Sequence, residues 1–358
     1  MPYQQRKQLI QSIENQRNGR TLICLFNFDR PSEPTLPGMS LQFNADMKEV
    51  LFRVLKDSRK KAGIDLCLYT RGGDINSVWP LVSLIREFDR HYQVLVPYRC
   101  LSSGTLVALG AQHILMGPLS ELSPIDPSTS NPFNPVDPAN NNSRMAINVG
   151  DVRAYRSFLS EQNREAELEG IEDIAPEDLT SYIDKLTERV HPLALGNVQR
   201  ALYQIRQLAE NLLGFHGVKG ENIAAMSEAL ITRFYTHLHK INRHEARDML
   251  GARVEFMPAR LSTAVDNLLR AYEDDFELRR TCYAQPLLQG KAEAELSYVG
   301  GVVEGQVRSY VHQSRVIVRP RVIATATAAG AAKPAAPVTR GVEVEIQEQG
   351  WQHNRSGV

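Results

Sequence analysis

Apolar positions along this chain change their spacing repeatedly, and each change marks an element. Residues 3–18 are polar except for Leu9, Ile10 and Ile13, which predicts a short helix with a narrow apolar stripe. Residues 20–28 are nearly continuous in branched and aromatic side chains and predict a strand. A loop with three prolines follows over 30–37. Met47, Val50, Leu51, Val54 and Leu55 then recur at helical spacing, giving a helix over 46–60 with Asn44 as its cap. The run 64–69 is a second strand and leads straight into Thr70-Arg71-Gly72-Gly73-Asp74. Val78, Leu81, Leu84, Ile85 and Phe88 give a helix over 74–90, and 92–97 a third strand. That strand ends at Arg99-Cys100-Leu101-Ser102-Ser103-Gly104-Thr105-Leu106, where a small-residue helix begins over 103–111, followed by a short strand at 113–116. Strands and helices alternating through short connections predict βαβ units and a mostly parallel sheet.

Beyond residue 116 the pattern becomes helical. Residues 128–143, rich in Pro, Asn and Ser, form a long loop. Helices are predicted over 149–165, 179–190, 195–213, 221–239, 243–250 and 261–277, with an acidic connection at 165–177 and Gly251 as a C-cap. Residues 294–322 return to strand spacing and predict a hairpin or small meander. From 324 the composition narrows to Ala, Thr, Gly, Pro and Lys, and the last twenty residues lack a helical pattern, so a disordered tail is expected. The expected organisation is a domain over 1–255 that includes the helical extension, a helix and β hairpin over 256–323, and a low-complexity tail over 324–358.

Composition narrows the function class. The 41 basic and 41 acidic residues cancel, which argues against a protein built around the nucleic-acid phosphate backbone. Cys24, Cys67, Cys100 and Cys282 have no paired spacing and read as reduced, buried residues of a reducing cytosol. The amino terminus has no apolar signal region, and no run of about 18 apolar residues occurs, so a soluble cytoplasmic protein without membrane insertion is expected. His113, His216, His237, His239 and His244 lack metal-ligand spacing, and no phosphate-binding glycine loop is present, so neither metal nor cofactor is implied.

The informative chemistry lies between residues 64 and 127. In a parallel sheet, the Gly72-Gly73 turn and the Ser102-Ser103 turn both fall at strand carboxyl ends, where open α/β sheets place their ligands. A glycine pair offers backbone N–H groups, and a serine beginning a helix has its hydroxyl at the helix's positive end. Together they have the parts of an acyl-transfer site, a nucleophile and an oxyanion hole. Ser102 is the better nucleophile candidate because it stands at the strand-to-helix junction with small residues after it. The ordinary alternatives are a helix cap at Ser102 and a plain turn at the glycines.

Thr70–Asp74, then Leu101-Ser102-Ser103-Gly104-Thr105-Leu106, then Leu122-Ser123-Pro124-Ile125-Asp126-Pro127 resemble, in order and spacing, the motifs of the serine dehydrogenase proteinase family. That family is related to signal peptide peptidase A and more distantly to the Clp protease and crotonase fold. Asn242-Arg243-His244-Glu245-Ala246-Arg247 also resembles the family's short helix late in the domain, and the likeness extends over about 5–255. The resemblance implies an α/β, Clp/crotonase-like fold and a serine peptidase acting on peptide or protein substrates. It implies Ser102 as nucleophile, the amides of Gly73 and Ser103 as oxyanion donors, Gly72 as the shaper of the turn, and assembly into a homo-oligomer.

The general base is not supplied by these motifs. The Clp branch uses a histidine after the next strand, and residues 123–127 have none. The dyad branch uses a lysine farther on, and residues 131–153 carry only Arg144 and Arg153, which stay protonated. Lys185, Lys219 and His191 are therefore the base candidates, and Asp126 an orienting or backbone-binding one. Two alternatives stand beside the peptidase: an inactive family member serving as a peptide-binding or assembly scaffold, and a crotonase-like acyl-CoA enzyme.

Overall fold

The computed structural model describes residues 2–33, 36, 39–58, 62–125, 128–129, 131–137, 143–148, 150–152, 154–155, 157–158, 186–218, 220–234, 236, 238–323 and 338–354. The chain forms two compact units, residues 1–122 together with 242–358, and residues 123–241. The boundary expected at 255/256 falls inside the first unit.

In the first unit α1 (Pro2–Gln16) precedes β1 (Thr21–Asn27), α2 (Met47–Asp57), β2 (Ile64–Tyr69), α3 (Val78–Phe88), β3 (Gln93–Val96), α4 (Ser103–Leu109) and β4 (Ile114–Met116). The second unit contributes α5 (Pro192–Gly214) and α6 (Gly220–Thr232), after which the first resumes with α7 (Arg243–Leu250), β5 (Val254–Phe256) and α8 (Ala259–Asp275). The described chain ends with β6 (Ala294–Glu304), β7 (Ser309–Ile323) and β8 (Val338–His353). One eight-stranded sheet runs in the order β5–β4–β3–β2–β1–β6–β7–β8. The pairs from β5 to β1 are parallel, and those from β1 to β8 antiparallel. Strands β1 and β2 are buried along their whole length, as sheet interiors covered on both faces require.

The pleat alternates the two faces. Leu22, Cys24 and Phe26 of β1 join Cys67 of β2 and Val302 of β6 in a core closed by Ile10 and Ile13 of α1 and by Leu268 and Tyr272 of α8. Phe26 and Tyr272 meet edge to face with ring centroids 4.9 Å apart. On the other face α2 turns inward the stripe Met47, Val50, Leu51, Val54 and Leu55, as its spacing predicts. Asn44 does not cap this helix; its side chain accepts the Asp46 N–H at 3.2 Å, an Asx turn one step earlier. The Asn242 cap of α7 forms a full capping box with Glu245, and Gly251 ends that helix at φ 64°.

A buried ionic cluster ties the amino terminus to the last third of the chain. Arg6 is fully buried, and its Nε donates to Glu304 Oε2 at 3.1 Å while its guanidinium also pairs with Asp275. Tyr272 Oη donates to the same Glu304 oxygen at 2.7 Å, and Lys7 Nζ lies 3.1 Å from the other. The guanidinium stacks over the Tyr272 and Phe276 rings at 5.0 and 5.2 Å.

In the second unit, taken by itself, two short antiparallel pairs join Ser128–Thr129 to Ile147–Asn148 and Val136–Asp137 to Ser143–Arg144. The long loop expected over 128–143 thus contains strand pairs. Helix α5 buries Val198, Leu202, Ile205 and Leu212. Helix α6 ends at Thr232, seven residues before the predicted end at 239. The helices expected over 149–165 and 179–190, and the acidic connection at 165–177, fall largely or wholly outside the described residues.

The expectation of a disordered tail is corrected at Val338–His353, which forms β8 against β7. Val342 and Val344 pack on the small core of Val316, Val318 and Tyr298, while Arg319 of β7 pairs with Glu345. The physical reason is a period-two pattern, Val342-Glu343-Val344-Glu345-Ile346, which a search for helical spacing passes over.

The Arg6 cluster yields a test. Glu304→Ala removes one of the two carboxylate partners of the buried Arg6, together with the acceptor of Tyr272 and Lys7, and is expected to destabilise the protein by about 3 kcal/mol, read from the urea midpoint. An unchanged midpoint would contradict the assigned role of the cluster.

Candidate active site

Strands β2 and β3 are parallel neighbours, registered Asp65 to Gln93 and Cys67 to Leu95, so their carboxyl ends emerge side by side. Pairing resumes beyond both strands at a parallel bridge between Thr70, one residue past β2, and Cys100, four residues past β3. The Leu101 N–H donates to Thr70 O at 3.0 Å, and the Thr70 N–H to Arg99 O at 2.9 Å. The Gly-Gly turn and the Ser-Ser-Gly turn therefore start from one held point.

Close packing explains the small residues. A Cβ at Gly72 would stand 2.6 Å from Ser102 Cβ, and one at Gly104 would stand 2.5 Å from Thr70 Cγ2. A Cβ at Gly73 would fall on the backbone of Phe43, and Gly72 and Gly73 also have φ of 101° and 152°. Thr105 Oγ1 donates to Cys100 O at 3.0 Å and closes the turn from below. The Cys100 thiol is fully buried and burial pushes its pKa up, so it packs as a neutral group.

Ser102 is half-buried and has φ 52° and ψ −114°, outside the ordinary regions for a residue with a side chain. Such a conformation costs on the order of 1–3 kcal/mol and persists only where the surroundings impose it, as at strained nucleophile turns. It is not a helix cap in the usual sense, because its side chain makes no cap hydrogen bond to α4. Ser103 differs: it is 1% exposed, and its Oγ donates to Gly73 O at 2.8 Å. Of the two serines, Ser102 is the more exposed.

The glycine loop is held from its far side by a strap. Phe43 N–H donates to Gly72 O at 2.9 Å, and Asp74 N–H donates to Phe43 O at 2.7 Å, a parallel bridge centred on Gly73. In that pattern the central residue's own N–H and C=O point away from the strap. The Gly72 N–H is taken by Thr70 Oγ1 at 3.0 Å. Among the described residues, no acceptor takes the N–H of Gly73 or of Ser103. Asp74 caps the following turn, accepting from Asn76 N at 3.0 Å and Ser77 Oγ at 2.7 Å. Partial burial raises the Asp74 pKa, but the Ser77 and Asn76 donors together outweigh it and hold the carboxyl below its usual range.

Gly72, Gly73, Ser102 and Ser103 are thus brought together. Asp126, Lys185 and Lys219 lie outside the described residues. His191 caps α5: its Nδ1 accepts the Leu193 N–H at 3.1 Å, and its ring stacks on Phe133 at 5.0 Å. With Nδ1 accepting, the neutral ring's proton stands on Nε2. Three further histidines have local contacts. His113 pairs with Glu255, His239 stacks on Phe234, and His244 meets the Phe256 ring. Phe43, the Thr70 hydroxyl and the Ser103 hydroxyl escaped the sequence reading. A hydroxyl residue directly before a Gly-Gly turn was a usable signal for Thr70, whereas Phe43 is remote in sequence and left none.

The Gly104 contact is testable by a pair of changes. Gly104→Ala is expected to destabilise by about 1–3 kcal/mol through overpacking, although alanine is the better helix former. Thr70→Ser removes the opposing methyl and keeps the hydroxyl, so the double variant should recover most of the loss in urea unfolding. Equal losses in the single and double variants would refute the contact.

Residues 2–138 match the model of the family described as ClpP-like SDH-type serine proteinase. An uncharacterized protein of Methanocaldococcus jannaschii is 26% identical over 122 residues, and a second from the same organism 27% over 122 residues. Each match covers 34% of this chain and only 42% and 41% of the relative, less than half the length of either. Among solved structures, a mutant of the 1510-N membrane-bound stomatin-specific protease is 15% identical at a TM-score of 0.35, covering 64% of this chain and 79% of that one. Another mutant of that protease, in complex with a substrate peptide, is 14% identical at 0.31, covering 64% and 94%. No described helix is long and apolar enough to cross a membrane. Through residues 2–138, which include both turns of the site, the chain is similar to the ClpP-like SDH-type serine proteinases.

Proposed function

We propose that this protein is a serine peptidase in which Ser102 is the nucleophile and the N–H groups of Gly73 and Ser103 form the oxyanion hole. The observation that carries the reading is the strained backbone of Ser102 beside two N–H groups that have no acceptor among the described residues. Ser102 Oγ attacks the peptide carbonyl carbon, its proton passes to the base, and the carbonyl oxygen becomes an oxyanion facing Gly73 and Ser103. Collapse breaks the C–N bond, and the base returns the proton to the leaving amine. Water then attacks the acyl-serine ester, gives up a proton to the base, and releases the acid and the serine hydroxyl. Each oxyanion donor contributes about 2.7–4 kcal/mol to the transition state.

The base is a lysine or histidine, with Lys185, Lys219 and His191 the residues to test. The engaged Nδ1 of His191 favours a lysine, whose neutral form supplies the lone pair that a capping imidazole has committed elsewhere. Substrates are peptides or proteins, and the protein works as a cytoplasmic homo-oligomer. Light scattering at micromolar concentration is expected to give a mass above that of one chain, and a monomer would count against the assembly.

A fluorophosphonate probe tests the chemistry. Wild-type protein is expected to be labelled and Ser102→Ala to be unlabelled. Lys185→Met, Lys219→Met and His191→Gln separate the bases, the correct one lowering labelling about 10²–10⁴-fold. Labelling that survives Ser102→Ala would sink the nucleophile assignment. Folded wild type that takes no label would favour the scaffold reading.

A further inference from the structure

We propose that the Ser103 hydroxyl, as distinct from its N–H, is a positioning group for the oxyanion hole: it clamps the Gly73 carbonyl and sets the direction of the Gly73 N–H. The inference rests on the serine peptidase reading and adds to it a residue function that the nucleophile and the two amides do not include.

Two consecutive peptide groups meet at Gly73. The first carries Gly72 O and the Gly73 N–H, and the second carries Gly73 O and the Asp74 N–H. Phe43 grips one group of each, donating to Gly72 O at 2.9 Å and accepting from the Asp74 N–H at 2.7 Å. Both grips lie on the strap side. The Gly73 N–H and C=O face the other way, toward the Ser102 turn, and there the Ser103 hydroxyl is, among the described residues, the one partner of the Gly73 carbonyl, at 2.8 Å. Gly73 has no side chain, and its φ of 152° is one that other residues rarely adopt, so little within the residue itself resists rotation. With the strap alone, the two peptide groups at Gly73 are held on one side only. The Ser103 bond supplies the second side.

The same bond has an electrostatic consequence. An uncapped Gly73 carbonyl would present its lone pairs on the side where negative charge develops on the substrate oxygen. The Ser103 proton occupies that carbonyl and leaves the Gly73 N–H as the outward group. Ser103 is 1% exposed, so its hydroxyl reaches the carbonyl from a buried side chain. Since the Ser103 backbone carries the second oxyanion donor, its side chain also joins the two donors through one short bridge. The separation of the donors is therefore set locally and does not depend on distant packing. A misplacement of about 1 Å at such a site costs up to about a hundredfold in rate.

The test uses the full chain and a fluorophosphonate probe, with kinact and KI measured separately. Ser103→Ala is expected to lower kinact about 10–100-fold with KI and Tm close to wild type. Ser103→Thr keeps the hydroxyl and is expected to return kinact to within a few fold of wild type. Ser103→Cys fills similar volume with a weak donor and, if the alanine variant folds poorly, is expected to show the same loss of kinact at a wild-type Tm. A Ser103→Ala protein with wild-type kinact, whatever its Tm or KI, overturns the clamp while a label-free Ser102→Ala leaves the peptidase reading standing. Labelling that persists in Ser102→Ala overturns both.

Discussion

The candidate site depends on one constraint: two loops approach more closely than side chains permit. Gly72 lies against Ser102, Gly73 against Phe43, and Gly104 against Thr70, each at a separation that a Cβ would violate. This crowding fixes the Ser102 backbone at φ 52° and ψ −114°, leaving Ser102 half-buried while the neighbouring serine turns inward. The strain at Ser102 is sustained by the hydrogen bonds around it, from Leu101 to Thr70, from Thr105 to Cys100, and from Ser103 to Gly73. The glycines and the strained serine are parts of one packing arrangement.

The fold supplies that arrangement by strand adjacency. β2 and β3 are neighbours in register, so their two loops leave the sheet at the same level. The core beneath is dense with aromatic and aliphatic side chains from α1 and α8, and this gives the loops a rigid base. The antiparallel half of the sheet, β6 to β8, extends the same platform away from the site. The Arg6–Glu304 cluster joins that half to the first helix. Chemistry at the turns and stability at the sheet thus rest on residues that are far apart in sequence and interleaved in space.

Several features were legible in the residues because they depend on local chemistry. Helix α2 follows directly from five apolar positions at helical spacing, the buried strands β1 and β2 from continuous apolar runs, and the end of α7 from Gly251. Gly72-Gly73 and Ser102-Ser103-Gly104 stand where the alternation of strand and helix puts them. The strand β8 was missed because the tail was searched for helical spacing, while its valines alternate with charges. The Asn44 cap was misplaced by two residues because an Asx turn and an N-cap use the same side chain and nearly the same offset.

The sequence by itself determined which residues are candidates for the site and that they stand at two strand-to-helix junctions, because turns and helix starts are selected by neighbouring residues. Only the tertiary structure decided which serine is the more exposed, which N–H groups are left without acceptors, and that Phe43 holds the glycine loop. Those outcomes depend on pairings across 29 or more positions, such as Phe43 with Gly72 and Ser103 with Gly73, which have no periodic signature in the chain.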